Sequence, residues 1–170
     1  MKKHRSLLIL LLLAVLCAGA VGLTLHLTAQ YPPPGEPVDY PTNQAEGFVL
    51  TLEKPTWSPF KGHTLRWKVT ADSDEVYYFS HDGNAPNSFE FLERQLDGQW
   101  YRLGYTQTDE SFTTIEFAVG GQESSGLSGS VVQKHAYYGT RLEPGLYRLV
   151  LEMKDAAGTP HYLSAPFEVK

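Results

Sequence analysis

Apolar side chains recur at every second position along several stretches of the chain from residue 47 onward. In one stretch Leu65, Trp67 and Val69 are separated by charged residues. Successive side chains of a β-strand point to opposite faces, so each stretch predicts a strand with one face in a core. The positions predicted to be buried on this basis are Phe48, Leu50, Leu65, Trp67, Val69, Ile115, Phe117, Tyr147, Leu149, Leu151, Phe167 and Val169.

Turn-forming pairs separate these stretches. Asp97-Gly98 lies between two apolar runs and predicts a β-hairpin, because glycine readily adopts the positive φ of a tight turn. Glu75–Ser80 and Ser88–Leu103, both rich in aromatic residues, supply further strands. About seven or eight short strands predict an all-β fold, an antiparallel β-sandwich, with a small barrel as the alternative.

The segment Leu142–Tyr147 places a Pro-Gly turn directly before a predicted strand, and Gly145 precedes Tyr147 by two residues. This arrangement is typical of a tyrosine corner, in which the phenol bonds to the backbone a few residues upstream. We expect the hydroxyl of Tyr147 to bond to the backbone near Leu142 or Glu143. The motif favours an immunoglobulin-like sandwich.

Three segments carry a resemblance to a known family: Phe89–Glu93, Asp97–Tyr101 and Tyr138–Arg148. Through them, residues 46–170 resemble the bacterial immunoglobulin-like domains found in exported proteins of Gram-positive, clostridia-type bacteria. The resemblance involves positions that build the fold. It implies a β-sandwich and an extracytoplasmic setting, and it implies no reaction.

The first 30 residues predict an export segment. Leu7–Leu27 is almost entirely apolar, and its 21 residues, at about 1.5 Å each, suffice to cross a hydrocarbon core of about 30 Å. Three basic residues precede it and predict a cytoplasmic N-terminus. We expect a signal anchor, a single-pass transmembrane helix at the cell membrane with residues 31–170 outside. The alternative is a signal peptide cleaved after Ala18-Gly19-Ala20, which would make the domain secreted.

Five prolines fall between Tyr31 and Glu46, where large aliphatic residues are few. Proline fixes φ and lacks the amide donor, so this stretch predicts a semi-rigid, extended spacer. The predicted organisation is therefore an N-terminal anchor or signal segment at 1–30, a proline-rich linker at 31–46 and a sandwich domain at 47–170.

The charge balance limits the partners of the domain. Residues 31–170 hold 11 basic and 19 acidic residues, a net charge of −8. A protein that neutralises phosphates needs a basic surface, so this balance argues against nucleic acid as a partner. The single cysteine, Cys17, rules out an intrachain disulfide framework.

No local motif predicts a catalytic, cofactor or metal site. The six histidines form no His-x-x-x-His or Glu-x-x-His pair, and no serine stands in a Gly-x-Ser-x-Gly elbow. We therefore expect a protein that is not an enzyme and uses no cofactor. Calcium binding stays open at two loops with clustered oxygen ligands, Asp72–Glu75 and His81–Asn84. A hydrolase with carboxylates on separate strands would leave no linear motif either.

Aromatic residues crowd positions 77–105. Neighbouring aromatic residues of a strand face opposite sides of the sheet, so some of them must lie outside one core. They either pair across strands or form a binding surface for a protein or a sugar. The residues that would form such a surface are Tyr78, His81, Asp82, Asn84, Trp100 and Tyr101.

Two functional hypotheses follow from this reading. The first is a non-catalytic immunoglobulin-like interaction or structural accessory module, tethered to the membrane through residues 7–27 and facing an unknown protein or cell-envelope partner. The alternative is a proteinase-inhibitor-like domain that acts through the loop His81–Asn87, which contains Pro86.

Overall fold

The computed structural model describes residues 2–27, 29–58, 61–81, 89–104, 115–121, 125–132 and 138–170. The chain divides into two compact units, Met1–Gln30 and Tyr31–Lys170. The first unit contains helix α1 (Lys2–Leu27). Among the described residues, no helix combines the length and the apolar character that a membrane crossing requires.

The described part of the second unit is built from β-strands joined by turns and loops. These strands are β1 (Pro34–Val38), β2 (Phe48–Leu52), β3 (Thr56–Ser58), β4 (Gly62–Ala71), β5 (Val76–His81), β6 (Glu90–Leu96), β7 (Gln99–Leu103), β8 (Ile115–Gly120), β9 (Gly126–Val132), β10 (Gly145–Lys154) and β11 (Pro160–Val169).

The strands form two antiparallel sheets. The larger sheet has seven strands in the order β1-β7-β6-β10-β5-β8, with β11 paired to β10. The smaller sheet has four strands, in which β4 pairs with β2, β3 and β9. The prediction of an all-β, antiparallel fold is thus confirmed. The predicted hairpin at Asp97-Gly98 is also confirmed, since both residues have positive φ and join β6 to β7.

One apolar core lies between the two sheets. Ten of the twelve positions predicted to be buried are buried, including Leu65, Trp67 and Val69 of β4 and Leu149 and Leu151 of β10. We call the face of the seven-stranded sheet that carries Leu149 and Leu151 its inner face and the opposite face its outer face.

The prediction for Phe117 was wrong, since 39% of this residue is exposed. Phe117 lies opposite Phe79 on β8, the last strand along one side of the larger sheet. No further strand of the described residues continues the sheet beyond β8, so the ring is open to solvent on that side. The side chain of Ile115 lies outside the described residues.

The packing of Trp67 depends on a glycine in the neighbouring strand. Trp67 of β4 lies opposite Gly129 of β9. A Cβ added at Gly129 would lie 2.5 Å from Cζ2 of the indole, well inside contact distance. The small residues of β9 therefore let a large aromatic side chain lie directly against the backbone of its neighbour.

Residues 34–45 differ from the predicted spacer, because they lie against the domain. Strand β1 pairs with β7, with Pro37 opposite Tyr101 and Val38 opposite Trp100. The amide of Asn43 then donates to the carbonyl of Tyr162 at 2.7 Å. Proline is compatible with β1 because this strand is the edge of its sheet, where a missing amide donor costs no ladder bond.

Candidate functional site

The residues of the predicted aromatic surface do not form one patch where the structure describes them. Trp100 and Tyr101 are neighbours on β7, so their half-buried side chains point to opposite faces of the sheet. Tyr78 lies on β5, and strands β6 and β10 separate β5 from β7. His81 ends β5, but its side chain lies outside the described residues, as do Asp82 and Asn84.

The loop His81–Asn87, which was the candidate for proteinase inhibition, lies outside the described residues from position 82 onward. The inhibitor hypothesis therefore stays a prediction. Within the described part of the chain, no three acidic, histidine or cysteine residues come close enough together to hold a metal ion.

A buried ionic cluster lies on the outer face of the larger sheet, and the sequence analysis did not identify it. We define the outer-face cluster as Tyr40, Glu93, Arg102 and Arg148. The Glu93 side chain is fully buried, and Arg148 Nε donates to its Oε2 at 2.6 Å. Tyr40 donates its hydroxyl proton to the other carboxylate oxygen, and Arg102 Nη2 donates to the Tyr40 hydroxyl at 3.3 Å.

Aromatic rings enclose this cluster. The Arg102 guanidinium lies 3.6 Å from the ring centroid of Phe91, and that of Arg148 lies 4.5 Å from the ring of Trp100. Tyr40 stacks on Tyr162 with 3.9 Å between centroids. Burial, followed by the hydrogen bond to Glu93, raises the pKa of Tyr40, so its phenol stays protonated and keeps donating.

The cluster holds the buried charge of Glu93 in place. Both oxygens of Glu93 accept hydrogen bonds, and Arg148 supplies the opposite charge. A buried charge that is paired and fully hydrogen-bonded avoids most of the cost of desolvation. Trp100, a predicted surface residue, contributes to this packing through its contact with Arg148.

A second buried acid, Glu90, lies between the two sheets. Trp67 Nε1 of the smaller sheet donates to Glu90 Oε2 at 2.7 Å. Burial raises the pKa of this carboxyl to about 7, while the bond from Trp67 opposes that rise. The sequence signal is an acid between two aromatic residues, Phe89 and Phe91, and the structure buries all of residues 89–93.

An open cleft of about 420 Å³ lies at the edge of the smaller sheet. Its lining includes Leu142 and Val169, both buried. Trp57, which is 48% exposed, forms an aromatic wall, and the Arg141 guanidinium lies 5.9 Å from its ring centroid. We define the basic cleft by the residues that give it its chemistry, namely Tyr31, Trp57, His63, Arg141 and Lys170.

Sequence reasoning missed the basic cleft because its members come from four separate parts of the chain. Tyr31 begins the predicted linker, and Trp57 lies between Pro55 and Pro59, outside the alternating stretches. Arg141 and Lys170 meet them only after the sheets have formed.

Comparison with known proteins adds no assignment. No protein-family model matches the sequence, and no curated protein is significantly similar to it.

Proposed function

We propose that this protein is an extracytoplasmic, immunoglobulin-like interaction or accessory module that is held at the cell membrane by its N-terminal segment. The observation that carries the proposal is the order of its parts. Three basic residues and the apolar stretch Leu7–Leu27 come first, and a separate compact β unit begins at Tyr31. This order is typical of a protein exported with its C-terminal domain outside the cytoplasm.

The immunoglobulin-like class is supported by the corner at the start of β10. The Tyr147 hydroxyl donates to the carbonyl of Glu143 at 2.7 Å, as the tyrosine-corner motif predicts. The Tyr147 ring is buried and stacks on Phe167 of β11 with 5.6 Å between centroids. Two antiparallel sheets around one core are the layers that such a domain requires.

A role without catalysis is supported by the placement of the two buried acids. Glu90 and Glu93 lie on the same strand but three residues apart, so they face opposite sides of the sheet. One lies in the core and the other is held by Arg148 and Tyr40. They therefore cannot flank a single substrate in the way that paired catalytic carboxylates do.

N-terminal sequencing of the protein from membrane and soluble fractions tests the proposal. We expect an intact Met1 end in the membrane fraction and a domain that external protease can reach on intact cells. A new terminus at Val21 or at Ala29–Gln30 would contradict the tether and make this a secreted domain. A protease-resistant domain in intact cells, digested only after lysis, would contradict the extracytoplasmic setting.

A further inference from the structure

We propose that the basic cleft is a binding site for an anionic sugar, with Trp57 stacking on the sugar ring and Arg141 pairing with its carboxylate. The inference deepens the proposed function and rests on it, since it names the ligand of the interaction module. It depends on three features of the cleft: its charge, its aromatic wall and its shape.

The charge of the cleft is opposite to that of the domain around it. Residues 31–170 carry a net charge of −8, yet the described residues that line the cleft include the cations Arg141 and Lys170 and no acidic side chain. Arg141 makes no ion pair with any described residue, whereas Lys170 lies 3.9 Å from Glu168. Arg141 is therefore the cation best placed to receive an anion, and a guanidinium can pair with a carboxylate through two parallel hydrogen bonds.

Trp57 and Tyr31 are two of the three aromatic residues that are exposed in the described part of the domain. Trp57 is 48% exposed and Tyr31 is 41% exposed, although each contributes a large apolar area. An exposed aromatic ring beside a cation and buried apolar residues provides both stacking and charge recognition. A sugar acid presents a flat C–H face and a carboxylate, so it matches both features at once.

The shape of the cleft favours a short segment of sugar chain over a peptide strand. A cleft of about 420 Å³ falls within the range of about 300–1,000 Å³ that small ligands occupy. Strand β3, which carries Trp57, has three residues, whereas a typical strand has about 5–6. It is therefore a poor template for a peptide that adds to the sheet.

The test measures binding of trigalacturonate to the full chain in mild detergent by calorimetry, with the trimethyl ester of the same trisaccharide as the uncharged probe. We expect the acid to bind and the ester to bind about tenfold more weakly or worse, because it lacks the charge that Arg141 recognises. We expect Trp57→Ala to weaken binding of both probes, and Arg141→Gln to remove the difference between them.

Two matched variants serve as controls outside the cleft. Arg66→Gln removes an exposed arginine of β4, and Phe117→Ala removes an exposed aromatic ring of the other sheet. Both should bind trigalacturonate like the natural chain, and circular dichroism should show that every variant is folded. A variant that fails to fold is replaced by Trp57→Leu or Arg141→Met.

Three results would overturn the inference. They are equal binding of acid and ester, unchanged binding after both cleft substitutions, and tighter binding of a triglutamate peptide than of trigalacturonate, which would assign the cleft to acidic peptides. These outcomes are independent of the N-terminal sequencing and protease experiment. A secreted or intracellular protein could still bind the sugar, and a tethered protein could fail to bind it.

Discussion

The fold moves the ionisation of Glu90 close to neutral pH. Its carboxyl accepts one hydrogen bond, from Trp67, in a core that is otherwise lined mainly by apolar side chains. Burial disfavours the charged form, and the pKa rises from 4.5 to about 7. Glu93 lies three residues further along the same strand, faces outward and accepts hydrogen bonds from Arg148 and Tyr40. Two acids of one strand therefore have different environments.

Replacing Glu90 by glutamine should remove a pH-dependent loss of stability. The pKa of Glu90 in the folded state, about 7, lies above the ordinary value of 4.5. The contribution of Glu90 to the free energy of unfolding is therefore fully present below about pH 4.5 and is lost as the pH rises through 7. The free energy of unfolding of Glu90→Gln, relative to that of the natural chain, should therefore rise by roughly 3 kcal/mol from about pH 4 to about pH 8. Chemical denaturation at a series of pH values measures this difference.

The control for this measurement is Glu53→Gln, which removes an acid that is exposed and only loosely paired with Arg66. Its free energy of unfolding should follow the natural chain at every pH. Parallel pH profiles for Glu90→Gln and the natural chain would show that Glu90 titrates normally.

At the scale of elements, the segment before β2 differs from its prediction, because it packs on the domain and is not a free spacer. Strand β1 extends the larger sheet beyond β7, and the residues after it cross to β11. Asn43 Oδ1 accepts a hydrogen bond from the backbone amide of Ser164 at 2.8 Å. Asn43 also has a positive φ, which asparagine tolerates better than most residues. The prolines that suggested a spacer are accommodated because β1 is an edge strand.

Tyr40→Phe should destabilise the domain although it keeps the aromatic ring. The variant retains the stacking on Tyr162 but leaves one oxygen of the buried Glu93 carboxylate without its donor. Losing a hydrogen bond to a buried charged group costs about 1–3 kcal/mol. Thermal and denaturant unfolding should show this loss, whereas Tyr31→Phe, at an exposed tyrosine, should leave stability unchanged. Equal stability of Tyr40→Phe and the natural chain would mean that residues 39–45 do not hold the outer face.

For the whole β unit, the two sheets share one core and should lose it together. Trp67 belongs to the smaller sheet, but its indole bonds to Glu90 and contacts Phe89, at and just before the start of β6 in the larger sheet. Neither sheet has another partner for its inner face among the described residues. The domain should therefore behave as one cooperative unit.

Unfolding of this unit should be coincident by two probes. In a chain that carries Trp57→Phe and Trp100→Phe, fluorescence reports on Trp67 alone, while far-ultraviolet circular dichroism reports on the β-strands of both sheets. We expect both signals to change at the same denaturant concentration, because breaking the contact between Trp67 and Glu90 opens the core. Fluorescence that changes well before circular dichroism would show that the sheets separate before they unfold.

The alternation of side chains by itself determined most of the strands and most of the core. Leu65, Trp67 and Val69 are buried because every second residue of a strand shares a face, and that rule is local. The same holds for the turn at Asp97-Gly98 and for the corner at Tyr147, where residues close in sequence set the conformation. Such features are readable from sequence because their causes lie within a few residues.

Only the tertiary structure decided how distant residues meet. Nothing in the sequence around Tyr40, Glu93 and Arg148 shows that they share hydrogen bonds, since 53 and 55 positions separate the bonded pairs. Phe117 obeys the alternation but is exposed because its strand is at the end of a sheet. The basic cleft likewise exists only where Trp57, Arg141 and Tyr31 converge. Strand order places these residues together, and long-range pairing determines that order.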